Sequence, residues 1–242
     1  MPNRGLSGNQ LKLIAAISML LDHVGLLLLP QVPILRILGR LAFPIFAYMI
    51  AEGCRYTRSK ARYFGGMFGL GLLCQVVYFL FDGSLYMCIL ITFSLAIPLI
   101  YALQLFKKAL CRPGALVRKF LTGLLLAAAV TAVYALNQIL EIDYGFWGVM
   151  TPVLASLFQQ PGREDRSIPE RLDRLPVHIA MLGLGLCILA FDLGSPQYFS
   201  LLALPLLLCY NGTRGKRSMK YFFYLFYPLH LAALQGLYML IG

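Results

Sequence analysis

The sequence predicts an all-α integral membrane protein, a bundle of about nine transmembrane helices with its N-terminus in the cytoplasm. Three observations predict it. Of 242 residues, 60% are hydrophobic and 13% are charged, about half the roughly 25% charged fraction of an ordinary soluble domain. Apolar runs recur at the length a spanning helix needs, about 20 residues for a hydrocarbon core of about 30 Å. The segments between those runs alternate in charge. Together with a mean hydropathy of +0.75, these features exclude a soluble enzyme, a disordered chain and a disulfide-stapled secreted module.

The spans expected in order are 11–29, 36–54, 63–81, 85–106, 118–140, 144–160, 175–191, 196–211 and 219–241, the sixth to eighth being the shortest. In lipid only a helix satisfies its own backbone at these lengths. Four connecting segments are basic: 55–62 (Arg55, Arg58, Lys60, Arg62), 107–119 (Lys107, Lys108, Arg112, Arg118, Lys119), 163–174 (Arg163, Arg166, Arg171, Arg174, with four acids) and 214–220 (Arg214, Lys216, Arg217, Lys220). The intervening ones hold Asp82, then Glu141 and Asp143, then Asp192. The positive-inside rule places the N-terminus and the basic loops in the cytoplasm and the acidic turns and C-terminus outside.

The opening MPNRGLSGNQ has no apolar core or cleavage site, so no removable signal peptide is expected. No linker is long enough to separate distinct folds, so one polytopic domain over 1–242 is expected. The net charge of +11 is scattered in short clusters and makes no footprint for nucleic acid. Six cysteines without a C-x-x-C spacing read as small buried hydrophobes, and no metal site is expected.

An ionisable side chain inside a span costs at least about 2.5–3.5 kcal/mol on insertion scales and so marks a candidate site. The first span holds Asp22 and His23; the second holds Arg36 and Arg40, with Glu52 at its other end; the last holds His230. At 1.5 Å per residue, His23 lies about 18 Å, Arg40 roughly 22 Å and His230 about 15 Å from the cytoplasmic side. Three helices thus bring ionisable groups to one layer. Arg36 and Arg40, four residues apart, share a face, and so do Tyr227 and His230, three apart, with Tyr224 one turn earlier. Pro44 removes a backbone donor and must disturb the second helix. Blander readings stand beside these. Asp22 and Arg40 make a structural ion pair, and His23 is an interhelical hydrogen-bonding residue. Tyr221, Tyr224 and Tyr227 are a packing stripe, His178 is structural, and the 55–62 arginines serve orientation alone.

The run LKLIAAISMLLDHVGLLLLP, followed by LRILGRLAFPIFAYMIAEGCRYTRSKARY, resembles the TraX family, named for the conjugation protein that acetylates the N-terminus of F-pilin. The matching positions are Asp22, His23, Gly25, Arg36, Gly39, Arg40, Pro44, Phe46, Glu52, Gly53, Thr57 and Arg58, then Asp143, Tyr144, Gly145 and Gly148, and finally Tyr227, Pro228 and His230. The likeness departs from the family pattern at Gln75-Val76-Val77 and Met87-Cys88.

That resemblance implies a bacterial inner-membrane acyltransferase, related to larger multi-pass enzymes that move an acyl group from cytoplasmic acyl-coenzyme A using a histidine in an early helix. His23 matches that histidine. Acyl transfer needs a base for the attacking nucleophile and a donor for the developing oxyanion, and imidazole suits the first task. The expected catalytic set is therefore His23 as general base, Asp22, Arg40, Tyr227 and His230, with Arg40 or Tyr227 on the oxyanion. An acetyl-histidine intermediate is the alternative route. The donor expected is acetyl-coenzyme A, its phosphates met by Arg58, with Arg55 and Lys220 as weaker candidates. The acceptor is a peptide N-terminus, a sugar or a small molecule. Two other classes stay open, a membrane transporter and a non-catalytic pilus or envelope assembly factor.

Overall fold

A capping box starts the first helix. Ser7 accepts from the backbone N–H of Gln10, and the Gln10 side chain accepts from the Ser7 N–H at 2.9 Å. The computed structural model describes residues 5–83, 85–162, 165–216 and 219–241, with the backbone alone described at Phe81, Asp82, Lys220 and Ile241. Among the described residues the helices are α1 (Gly8–Leu27), α2 (Pro33–Gly39), α3 (Ala42–Tyr56), α4 (Lys60–Asp82), α5 (Ile89–Leu110), α6 (Leu116–Ile139), α7 (Gly145–Ala155), α8 (Leu175–Leu193), a 3-10 turn Gln197–Leu202, α9 (Ala203–Leu208) and α10 (Lys220–Ile241). Two isolated bridges, Leu6 with Tyr210 and Met87 with Ile142, are the β-like pairings described. The protein is all-helical.

Six helical segments among the described residues are long and apolar enough to cross a membrane: Gly8–Leu27, Pro33–Tyr56, Lys60–Leu80, Ile89–Leu110, Leu116–Ile139 and Leu175–Leu193. The chain is a multi-pass membrane protein. The expected sixth and eighth spans form shorter helices, Gly145–Ala155 and Gln197–Leu208. At 1.5 Å per residue the 11-residue α7 is about 16 Å long, roughly half the hydrocarbon core. The last expected span folds as α10, 22 residues long.

The chain divides into two compact units, Met1–Met49 with Leu186–Gly242, and Ile50–Gly185. In the first unit α1 packs against α2 and α10. The α1 N-terminus is capped from afar: Gly8 N–H donates to Thr213 O at 2.8 Å and Asn9 N–H to Arg214 O at 3.0 Å, filling donors that a helix start leaves unpaired. Pro44 acts as the sequence predicts. The second span breaks at Arg40–Leu41, between α2 and α3, because a proline at 44 cannot donate to the carbonyl of residue 40 and its ring crowds it.

In the second unit α5 is the core helix, packed against α4, α6 and α7, with Ile97, Leu99 and Ile100 all but fully buried. The Asp143-Tyr144-Gly145 turn opens α7. Tyr144 takes a left-handed φ of 61°; Thr92 Oγ1 donates to Asp143 O at 2.8 Å and the Tyr86 hydroxyl to Asp143 Oδ1 at 2.7 Å. Burial first, and the Asp143 carboxylate second, push the Tyr86 hydroxyl well above its ordinary range.

Lys107 corrects the expected loop. It lies inside α5, 5% exposed, and its Nζ donates to Ser156 O at 2.6 Å and Gln159 O at 3.1 Å, just past the α7 C-terminus. A cation satisfying carbonyls beyond a helix end is favourable. Its neighbour Lys108 is half-exposed and pairs with Asp165 at 3.2 Å. Loop basicity alone makes the two equivalent; the fold does not. Lys107→Ala is expected to destabilise the detergent-solubilised chain by about 2–3 kcal/mol, since it strands two buried carbonyls. Lys108→Ala should cost less than about 1 kcal/mol. Paired denaturation curves measure both.

Candidate functional site

The first unit gathers the polar residues of three helices. Asp22, on α1, receives Arg40 through a forked contact, Nη2 to Oδ1 at 2.8 Å and to Oδ2 at 2.9 Å. Arg36, one turn earlier on α2, adds Nη1 to Oδ2 at 2.7 Å. Gly39 makes this possible. A Cβ there would stand 2.7 Å from the Asp22 Cα and collide with its Cβ and Oδ1, so only glycine lets α2 lie this close to α1. The Asp22–Arg40 pair anticipated from charge is present, with Arg36 as a second partner. Arg40 also donates through Nη1 to Gln197 Oε1 at 3.3 Å. Its guanidinium is thereby committed to holding Asp22 and the 3-10 turn.

His23 and His230 meet beside this cluster's first residue. Their ring centroids are 5.1 Å apart at an interplanar angle of 66°. Each ring is fixed by a carbonyl one turn back on its own helix: His23 Nδ1 bonds Met19 O at 2.8 Å and His230 Nδ1 bonds Phe226 O at 2.7 Å. A carbonyl only accepts, so both Nδ1 atoms carry hydrogen. His230 Nε2, 3.4 Å from His23 Nδ1, then accepts from that same N–H. One basic nitrogen is left over, Nε2 of His23. Phe226 stacks on His230 at 4.7 Å and Tyr227 meets it edge-on at 5.7 Å, so Tyr227 is buried against the histidine pair and closes its side. Asp22 follows the helix round to the arginines, as the roughly 100° step between adjacent residues requires.

The residues expected to meet phosphates fall elsewhere. Arg55, in the second unit, gives both guanidinium edges to Asp173, at 3.0 and 2.7 Å. His178 Nε2 lies 3.1 Å from the same carboxylate, in keeping with a structural histidine. Arg58 is exposed in the turn between α3 and α4. The Lys220 side chain lies outside the described residues. Of the three, Arg58 is the one whose side chain is described as exposed.

Sequence reasoning missed Gln197 and Gly39 as a contact point; Glu52, noted at the far end of the second span, is buried, and its Oε1 accepts from Gln159 Nε2 at 3.3 Å. Gln197 sits uncharged in an apolar run, and a search for polar as well as ionisable residues would have found it. No group of three metal-ligating side chains exists among the described residues.

Because Asp22 neutralises one of two part-buried guanidiniums, Asp22→Asn is expected to cost about 3–5 kcal/mol. Adding Arg40→Gln should recover part of that loss, since it removes the charge left unpaired. Thermal unfolding of the single and double variants in detergent measures the coupling, and strictly additive losses would contradict it.

Three comparisons bear on the chain. A family model described as TraX protein matches residues 7–238. A "Probable fimbrial assembly protein FimC, serogroup H1" of Dichelobacter nodosus is 29% identical over 255 residues, covering 96% of this chain and 96% of that one. An uncharacterized protein of Rickettsia prowazekii (strain Madrid E) is 42% identical over 52 residues, 22% of this chain and 21% of the relative. No solved structure matches significantly. With a family match that runs almost from end to end, the chain belongs to the TraX family.

Proposed function

We propose that this membrane protein serves the assembly of a surface fibre, a pilus or fimbria, in a bacterial inner membrane. The observation that carries the reading is the likeness, over 96% of both chains, to a protein named for fimbrial assembly. The topology that goes with it has a cytoplasmic N-terminus and cytoplasmic basic loops, the arrangement that the charge alternation favours. Deleting the gene in a fibre-bearing host is expected to abolish fibres, and supplying the chain should restore them. Fibres that persist at normal number and length after deletion overturn the role.

A second reading, acyl transfer, is favoured by one specific observation: the hydrogen bonds of the histidine pair leave His23 Nε2 as its basic nitrogen. In this reading Nε2 takes a proton from an acceptor amine or hydroxyl as that atom bonds to the thioester carbonyl of acetyl-coenzyme A. The carbon–sulfur bond breaks, and the proton returns from His23 to the departing thiolate. His230 holds the His23 ring through the shared N–H, and Asp22, locked by Arg36 and Arg40, fixes α1 against α2.

Transfer of labelled acetyl groups by the purified full-length chain tests the chemistry. His23→Ala is expected to lower the rate by about 100-fold or more, and His230→Ala by less, because the Met19 carbonyl still holds the tautomer. Fibres formed normally by a His23→Ala chain at normal abundance would leave assembly standing and remove the chemistry.

A further inference from the structure

The two places where the sequence departs from the family pattern meet in the fold. Cys88 N–H donates to Gln75 Oε1 at 3.4 Å. Around that contact α4 turns one buried face inward, Gly71, Cys74 and Gln75, while Leu72, Leu73, Val76 and Val77 are exposed. Gly71 brings α5 against this face. A Cβ there would stand 2.7 Å from Ile91 Cδ1 and 3.3 Å from the Ile91 backbone nitrogen. Cys88 holds the N-cap of α5, but its side chain makes no capping bond. The thiol turns to α4 instead and donates to Gly71 O at 3.7 Å.

That carbonyl locates a second thiol. A helical side chain can lie against the carbonyl three residues before it, as Ser94 Oγ does against Ile91 O at 2.8 Å in α5. Cys74 is three residues past Gly71, so its side chain borders the oxygen that Cys88 Sγ touches. The two thiols are near enough to interact electrostatically, and each is 3% exposed. The connection just before Cys88 is exposed at Leu85 and Tyr86, so a reagent approaches from that side.

We propose that Cys74 and Cys88 are a reversible dithiol–disulfide pair that clamps the start of α5 to α4. Its oxidation is exchange with a disulfide reagent. The Cys88 thiol loses its proton, and its sulfur attacks the reagent's disulfide, releasing one thiolate and leaving a mixed disulfide. Cys74 loses its proton in turn, displaces the second thiolate and bonds to Cys88. The pair is oxidised, and the reagent is reduced to two thiols that take up the two protons. Cys88 attacks first because the start of a helix favours an anion. The new bond closes a ring of about 15 residues. It fastens more than that ring. Met87 N–H donates to Glu141 O at 2.8 Å and Asp143 N–H to Met87 O at 2.9 Å, so the turns before α5 and α7 are tied to α4 together. The proposed topology puts this end of α4 outside, where disulfides persist; the pairing itself rests on neither that topology nor fibre assembly.

The test treats the full-length chain in detergent with dithiodipyridine, a small apolar disulfide. The chain is then denatured in SDS with N-ethylmaleimide and mapped by mass spectrometry. Cys74 and Cys88 are expected to escape the label, joined to each other with the loss of two hydrogens, and to take it after dithiothreitol. In Cys74→Ser, Cys88 should keep a pyridyl group as a stalled mixed disulfide. Treatment should raise the unfolding temperature of the parent by about 5 °C relative to its effect on Cys74→Ser. The proposal is overturned if both thiols take the label after oxidation, if either pairs with another cysteine, or if either keeps the pyridyl group in the parent. A Cys74–Cys88 disulfide that brings no such rise overturns the clamp. Mapping of the parent decides the matter alone should Cys74→Ser fail to fold.

Discussion

A single carboxylate organises the first unit. Asp22 is gripped by the guanidiniums of Arg36 on α2 and of Arg40 at its C-terminal cap, and the bare Cα of Gly39 lets that face come into contact. Within a span each of these charges is costly alone, and each finds its counterpart within hydrogen-bonding distance. The contact brings more than neutralisation. Through Arg40 it reaches the 3-10 turn at Gln197, so residues from the two ends of the chain are joined in one polar centre.

The neighbouring histidines inherit their order from this arrangement and from their own helices. Carbonyls of Met19 and Phe226 dictate which ring nitrogen carries hydrogen, and Phe226 and Tyr227 wall in His230. The polarity runs one way, from His23 N–H to His230 Nε2, and exposes a lone pair at the far side of His23. That asymmetry separates a pair with chemical potential from two histidines that merely satisfy one another. Tyr227 contributes packing to this centre, which is how the aromatic stripe of α10 and the ionisable layer come to belong to one feature.

Much of this was legible because lipid is an unforgiving solvent. A charge in a span must find a partner, which pointed from Asp22 to Arg40. A shared layer placed His23, Arg40 and His230 where they could meet, and the missing N–H of Pro44 pointed to a disturbed second span. Other features were hidden for physical reasons. Lys107 and Lys108 are alike in sequence, and tertiary packing alone decides that the first caps α7 while the second meets Asp165. The pairing of Arg55 with Asp173 joins residues 118 apart, a distance no local pattern encodes. The shortness of α7 lies at its far end, where the helix stops at Ala155 and turns at Ser156, while apolar content alone read as a span continuing to 160. Gln197 bears no charge and so raised no alarm in a hydropathy reading.

The centre of this account is that the ion-paired helices present His23 with its Nε2 bare. Nitrogen-15 NMR of histidine-labelled protein in lipid at neutral pH reads that state directly, with His23 assigned by comparison with a His23→Gln chain. A neutral His23 ring with hydrogen on Nδ1, coupled to His230, is the predicted result. Hydrogen on Nε2 of His23, or two rings that do not sense each other, would contradict it.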